Sequence, residues 1–255
     1  MTPETSVRQS EALMGTVATV ELYDPVPDRD AVDDVFSWLH EVDRRFSPFI
    51  ADSEVNRLDR GELGLPECSA DLREVIECCA ELWQRTDGYF DIYATGRLDP
   101  CGYVKGWAVQ VASQRLSAAG AVNHCIEVGG DIQTRGRPAP DEQWQIGIRH
   151  PWQRDRICWL LSGTDLAVAT SGLYERGLHV INPRTGLPAD QLCSVTVVGR
   201  DLGIADAYAT AAVAMGRAGL GWLTGLDGYE CAVVLADGTA YESAGLPSVA
   251  LLTNC

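Results

Sequence analysis

Lysine is almost absent from this chain of 255 residues: of twenty basic side chains, Lys105 is the single lysine and the rest are arginine. No apolar run approaches the roughly 20 residues that span a bilayer, so no membrane helix is expected. Runs of Lys and Arg are missing as well. With 36 acidic against 20 basic side chains the formal charge is −16, which argues against a nucleic-acid partner, because neutralising phosphates needs clustered cations. Neither a Walker A loop nor a Gly-x-Gly-x-x-Gly segment occurs, which disfavours the common nucleotide folds. The start, Met1 to Ser10, lacks a charged head followed by an apolar stretch, so no signal peptide is read, and the first cysteine, Cys68, lies too far in for a lipobox. The nine cysteines are odd in number and lack metal-ligand spacing. They read as buried free thiols of a reducing, cytoplasmic protein rather than as a zinc site.

What is present is an ordinary globular composition, 46% hydrophobic and 22% charged, long enough for a sizeable core in one domain spanning 1–255. Alternating Val17, Thr19, Glu21 and Tyr23 predict a strand over 13–23. Helical spacing of Val32, Val35, Phe36, Leu39 and Val42 predicts a helix over 30–45. A short helix over 52–58 follows, then a Ser69-capped helix striped by Leu72, Val75, Cys79 and Leu82. A further helix is expected over 104–119. The second half reads as strands over 124–128, 144–149, 157–161, 166–170, 179–182 and 194–198, a small-residue helix over 204–215, and a hairpin with a type I′ turn at Asp237-Gly238. The fold class expected is α+β, with mixed or antiparallel sheets flanked by helices.

Five polar clusters fall at the ends of these elements. Thr86-Asp87-Gly88-Tyr89-Phe90-Asp91 reads first as a helix-stopping turn. Asp99 to Gly106 sets a carboxylate and the sole lysine around a helix start, where free amides favour an anion; the skew toward Arg could equally make Lys105 chance. Gly129-Gly130-Asp131 fits either a hairpin turn or a close ligand approach. Thr170-Ser171-Gly172, with Tyr174-Glu175-Arg176 and then His179 to Gly186, gathers hydroxyls, arginines and a histidine that is either structural or a proton acceptor. Asp206 and Thr210 lie four apart on one helix face. They form a hard-oxygen pair of the kind Mg²⁺ accepts, unless Asp206 only serves the helix dipole.

The order of these blocks decides between the alternatives. Met14-Gly15-Thr16, Phe46-Ser47-Pro48-Phe49 with Asp52-Ser53-Glu54, Thr86 to Asp91, Lys105-Gly106-Trp107-Ala108-Val109, Gly129-Gly130-Asp131, Thr170-Ser171-Gly172, His179 to Gly186 and Ala205-Asp206-Ala207-Tyr208-Ala209-Thr210 follow one another as in the ApbE family. The chain resembles these flavin transferases, the FAD:protein FMN transferases, from Met14 to about Gly216.

That resemblance implies a two-lobed ApbE-like architecture and Mg²⁺-dependent transfer of FMN from FAD to a Ser or Thr hydroxyl of a target flavoprotein, with release of AMP. It implies FAD contacts at Met14, Phe49, Tyr89, Phe90 and Asp91, a nucleotide and pyrophosphate site at Asp99 and Lys105, and a flavin lining of Thr170, Ser171 and Ile181. The metal would take Asp206, Thr210 and the Gly102 carbonyl; His179 would be the general base, with Asp206 beside it in the catalytic set. Phe49 stands where the family often has an aromatic hydroxyl, and Asn182 where an Asp is usual before Pro183. Two alternatives are an FAD pyrophosphatase giving FMN and AMP, and a non-catalytic FAD-binding protein.

Overall fold

The computed structural model describes residues 7–24, 29–153, 155–173 and 179–251; Tyr174-Glu175-Arg176 of the fourth cluster lie outside them. Its spine is an eight-stranded sheet in the order β1-β2-β3-β4-β7-β10-β11-β12. Every pairing in it is antiparallel. The strands are β1 (Val7–Leu13), β2 (Thr16–Leu22), β3 (His124–Val128), β4 (Asp131–Arg135), β7 (Ala167–Gly172), β10 (Leu192–Gly199), β11 (Glu230–Leu235) and β12 (Ala240–Glu242). Helices α1 (Arg29–Phe46), α4 (Cys101–Ala118) and α5 (Leu202–Met215) cover one face. On the other lies a three-stranded antiparallel sheet, β13-β6-β5, of β5 (Trp144–Arg149), β6 (Ile157–Gly163) and β13 (Ser248–Leu251). The result is an α+β fold with two hydrophobic cores, a large one under the helices and a smaller one between the sheets.

Helices α2 (Glu54–Asp59) and α3 (Ala70–Arg85) start where polar caps put them. The Ser53 hydroxyl accepts from Asn56 N and the Ser69 hydroxyl from Leu72 N, each at 3.2 Å, satisfying one amide that the first turn leaves free. No residue of helix α5 is exposed to solvent. Ala205, Ala207, Ala209, Ala211 and Ala212 are all fully buried, and the small side chains let it press against β7, β10 and α4. Its meeting with α4 depends on glycine: a Cβ on Gly106 would stand 2.5 Å from the Leu202 carbonyl oxygen, and one on Gly203 would stand 2.9 Å from Tyr103 Cε2. Gln110 ties the two helices at the same end, donating to Asp201 Oδ2 at 3.0 Å and accepting from Leu202 N at 2.7 Å.

Several boundaries differ from the sequence expectation. The strand expected over 13–23 is β2, which starts only at Thr16; β1, for which no strand is expected, ends at Leu13, and Met14 (φ 52°) and Gly15 (φ 70°) turn the chain between them. The two positive φ values of a type I′ turn occur there and not at Asp237-Gly238, where only Gly238 is left-handed (φ 85°) and the hairpin closes through Gly238 N to Leu235 O and Leu235 N to Thr239 O. Strand β4, which was not expected, begins directly at Asp131, because Gly129 (φ 55°) and Gly130 (φ 89°) already complete the turn. Only Ile181–Asn182 (β8) of the segment 179–182 is strand, paired with Leu187–Pro188 (β9). Among the described residues seven cysteines are free thiols, but Cys158, expected as another, is disulfide-bonded.

Candidate active site

Helix α4 begins at the mouth of a cavity of about 390 Å³, and the adjoining segments are each held there by a specific bond. At its start, Asp99 Oδ1 accepts from Cys101 N at 3.0 Å, fixing the first turn that carries Gly102 and Lys105. One wall is the turn after α3. The fully buried Thr86 hydroxyl gives its proton to Leu82 O at 2.8 Å and accepts from Phe90 N at 2.9 Å. Asp87 (φ 52°) and Gly88 (φ 77°) then reverse the chain. The turn therefore does stop a helix, and it also delivers Tyr89, Phe90 and Asp91 to the cavity. The opposite wall is β7 with the β8–β9 hairpin. Arg184 in that hairpin donates to Asp87 O at 2.9 Å, pairs with the Asp87 carboxylate, and lays its guanidinium 4.6 Å from the Tyr89 ring centre. The two walls are thus clamped across the mouth.

The floor comes from α5. Asp206 and Thr210, one turn apart, both reach the cavity. Thr210 Oγ1 is 3.1 Å from the Ser171 hydroxyl, and a Cβ on Gly102 would lie 3.1 Å from it, so only glycine lets this part of α4 approach so closely. Thr170 is fixed through its hydroxyl, 2.9 Å from that of Thr196 on β10.

Charge is concentrated behind Lys105. Its ammonium pairs with Asp131 and lies 3.4 Å from Asp206 Oδ2, which also accepts from Gly106 N at 3.3 Å. Asp131 is fully buried and its second oxygen, Oδ1, has no partner. Two carboxylates thus face one cation. Burial, and next the Asp131 charge, push the Asp206 carboxyl well above the usual range despite Lys105 and the Gly106 amide. For Lys105, burial acts downward, but Asp131 and then Asp206 outweigh it and hold the ammonium above its ordinary value.

A hard divalent cation suits this floor. The set offers one carboxylate, a hydroxyl and a carbonyl, Asp206, Thr210 and Gly102, beside an excess negative charge and an orphaned carboxylate oxygen. No group of three His, Cys, Asp or Glu that could hold a metal occurs among the described residues, so a softer, all-side-chain site is not offered.

Thirteen of the fourteen residues expected from the sequence line this one cavity: Phe49, Tyr89, Phe90, Asp91, Asp99, Gly102, Lys105, Thr170, Ser171, His179, Ile181, Asp206 and Thr210. His179 is exposed at its edge. Met14 instead lines an adjoining cavity of about 450 Å³ that shares Phe49, Cys101 and Lys105 with the first. Its left-handed backbone is held by a 3.1 Å bond from Met14 N to Asp43 Oδ2. Asp131 was absent from the expected site. The signal that could have found it is the Gly-Gly turn, which delivers the next side chain to a fixed place.

Residues 14–96 and 93–233 match the ApbE family. Among curated proteins, the FAD:protein FMN transferase of Vibrio cholerae is 34% identical over 123 residues, 44% of this chain and 37% of that protein. The enzyme of the same name from Rhodobacter capsulatus is 33% identical over 129 residues, 48% of this chain and 24% of that protein. The matches therefore span well under half of these relatives' length. Among solved structures, the ApbE protein of Thermotoga maritima superposes with a TM-score of 0.84 at 21% identity, covering 94% of this chain and 97% of that one. The flavin transferase ApbE of Vibrio cholerae gives 0.81 at 22%, covering 95% and 98%. These likenesses show a shared fold. No helix among the described residues is long and apolar enough to cross a membrane.

Proposed function

The chain belongs to the ApbE family, and from that premise we propose that it is an FAD:protein FMN transferase, moving FMN from FAD to a Ser or Thr hydroxyl of an acceptor flavoprotein with Mg²⁺ and releasing AMP. The observation that carries this reading is the convergence of the expected FAD, metal and base residues on one cavity.

Aromatic side chains Phe49, Tyr89 and Phe90, with Met14 and Ile181, would pack against the rings of FAD. Lys105 at the α4 start would take the pyrophosphate, assisted by Asp99, which orders that turn. Asp206, Thr210 and the Gly102 carbonyl would hold the metal, which when bound offsets charge on the phosphate oxygens. His179 would accept the proton as the acceptor oxygen bonds to the FMN phosphorus. The bond from that phosphorus to the AMP oxygen breaks, so one phosphoester replaces one anhydride. Asn182 near His179 lacks the usual carboxylate, so this base would work without that charge.

A second reading draws on the exposure of His179 at the cavity edge: water there could take the place of the acceptor, giving FMN and AMP. Incubating the protein with FAD, Mg²⁺ and an acceptor domain separates the two. A covalent FMN adduct on the acceptor, lost on chelation, is the expected result. Free FMN and AMP without adduct would favour hydrolysis, and intact bound FAD would leave only a flavin-binding protein. Asp206→Ala should abolish turnover while FAD still binds, and His179→Ala should slow transfer without releasing FAD.

A further inference from the structure

The three-stranded sheet covers only part of the main sheet. Ile146, Ile148, Trp159 and Leu161 pack on Val168, Val198 and Val234, and this layer ends at β5. Past that edge, a groove of about 970 Å³ runs between β5 and the outer face of β2 and β3. A smaller stretch of about 300 Å³ adjoins it, sharing Glu127, Ile132, Ile146, Gly147 and Arg149. Gly129 and Thr170 line both that stretch and the candidate active-site cavity.

The rim of this groove is a strand edge. Ser162 gives its N–H to Pro247 O at 2.8 Å, toward the β13 side, and Ser162 stands opposite Gln145. In an antiparallel ladder, a residue opposite such a partner turns its own N–H and C=O away from it. Gln145, and Gly147 two residues on, therefore present to the groove backbone groups without a partner among the described residues. That is a template for strand addition. Acidic side chains outnumber basic ones on the groove: Glu127, Asp141 and Glu142 are exposed on it and have no ion-pair partner among the described residues, against the exposed cation Arg149.

We infer that this groove is the docking track for an extended segment of the acceptor protein, which adds to the β5 edge, places basic side chains against Glu127, Asp141 and Glu142, and brings its hydroxyl to the cavity at Gly129 and Thr170. The inference rests on the transferase reading and assigns its second substrate a place outside the FAD site.

The test is a titration of a purified acceptor domain against the full chain at saturating FAD and Mg²⁺. Gln145→Pro removes one outward donor at an edge position that tolerates proline, and should raise the acceptor KM about fivefold or more. Glu127→Lys, on the exposed surface and so independent of folding, should raise it about tenfold and flatten the increase of KM with NaCl. FAD affinity, and AMP release without acceptor, should stay at wild-type values. Folded variants whose acceptor KM stays within about twofold of wild type would overturn the proposal while leaving the transferase reading intact. A wild-type dimer dissolved by Gln145→Pro would assign the groove to a second copy of the chain and overturn it as well. If the wild type transfers no FMN at all, the transferase reading fails and takes this inference with it.

Discussion

Lys105 and Asp131 form an ion pair in which the carboxylate is fully buried and the ammonium belongs to the only lysine in the chain. Asp206, also buried, leans on the same ammonium at 3.4 Å. Removing the cation strands both acids. Lys105→Met should therefore cost about 3–5 kcal/mol of folding stability, the range seen when one partner of a buried pair is deleted. Urea unfolding of variant and wild type at neutral pH gives the comparison. A loss under about 1 kcal/mol would mean that the acids are already neutral without Lys105.

Glycine at the α4–α5 crossing is a steric requirement. Gly106→Ala would drive a Cβ to 2.5 Å from the Leu202 carbonyl oxygen, at a cost of about 1–3 kcal/mol. Gly221 in α6 (Ala218–Leu223) has nothing within 4 Å of the same added atom. There alanine should leave stability unchanged or raise it by about 0.5–1 kcal/mol. The melting curve of Gly106→Ala should move down, while that of Gly221→Ala should stay or move up.

His124 carries an acid-sensitive term in stability. It is fully buried, bonded to Ser113 Oγ at 2.8 Å and Ala121 O at 2.9 Å, and burial holds its pKa below the ordinary 6.5. A histidine kept neutral in the fold binds its proton more readily when unfolded. This contribution is whole above about pH 6.5, shrinks as pH falls below that value, and levels off beneath the lowered native pKa. Unfolding free energies measured from pH 7.5 downward should therefore fall more steeply for wild type than for His124→Gln.

Arg184 closes the mouth of the site without belonging to its floor. Arg184→Ala removes the guanidinium over Tyr89 and the contacts with Asp87, all at an exposed position. Global stability should change by no more than about 0.5 kcal/mol, while FAD affinity, on the transferase reading, should fall about two- to fivefold. Equal flavin-fluorescence titrations for the two proteins would show that the clamp has no part in binding.

Much of this arrangement is legible in the sequence wherever a local rule decides. Ser69 with the Leu72–Leu82 stripe predicts α3 because the cap and the period agree. Asp206 and Thr210 reach one cavity because their spacing alone puts them on one helix face. Legibility ends where tertiary contacts override preference. Met14 takes a left-handed conformation that methionine seldom adopts, held by Asp43 from twenty-nine residues away, so the β1–β2 turn passes for continuous strand. Helix α4 starts at Cys101, ahead of the expected Val104, because Asp99 orders a first turn whose glycine has little helical preference of its own. Asp131 stands in the Gly129-Gly130-Asp131 block, but its role is not legible there because the partner, Lys105, lies twenty-six positions earlier, and the β5 groove has no sequence signature at all.

Helix α5 has no side made for water, and this ties the floor of the cavity to the packed core. A segment so rich in alanine and so enclosed gains little from forming alone, since most helical stability in proteins comes from packing. Its stability rests on packing against β7, β10 and α4. The placing of Asp206 and Thr210 therefore depends on that packing, and a fragment cut short of Met215 should retain neither the floor nor the fold around it.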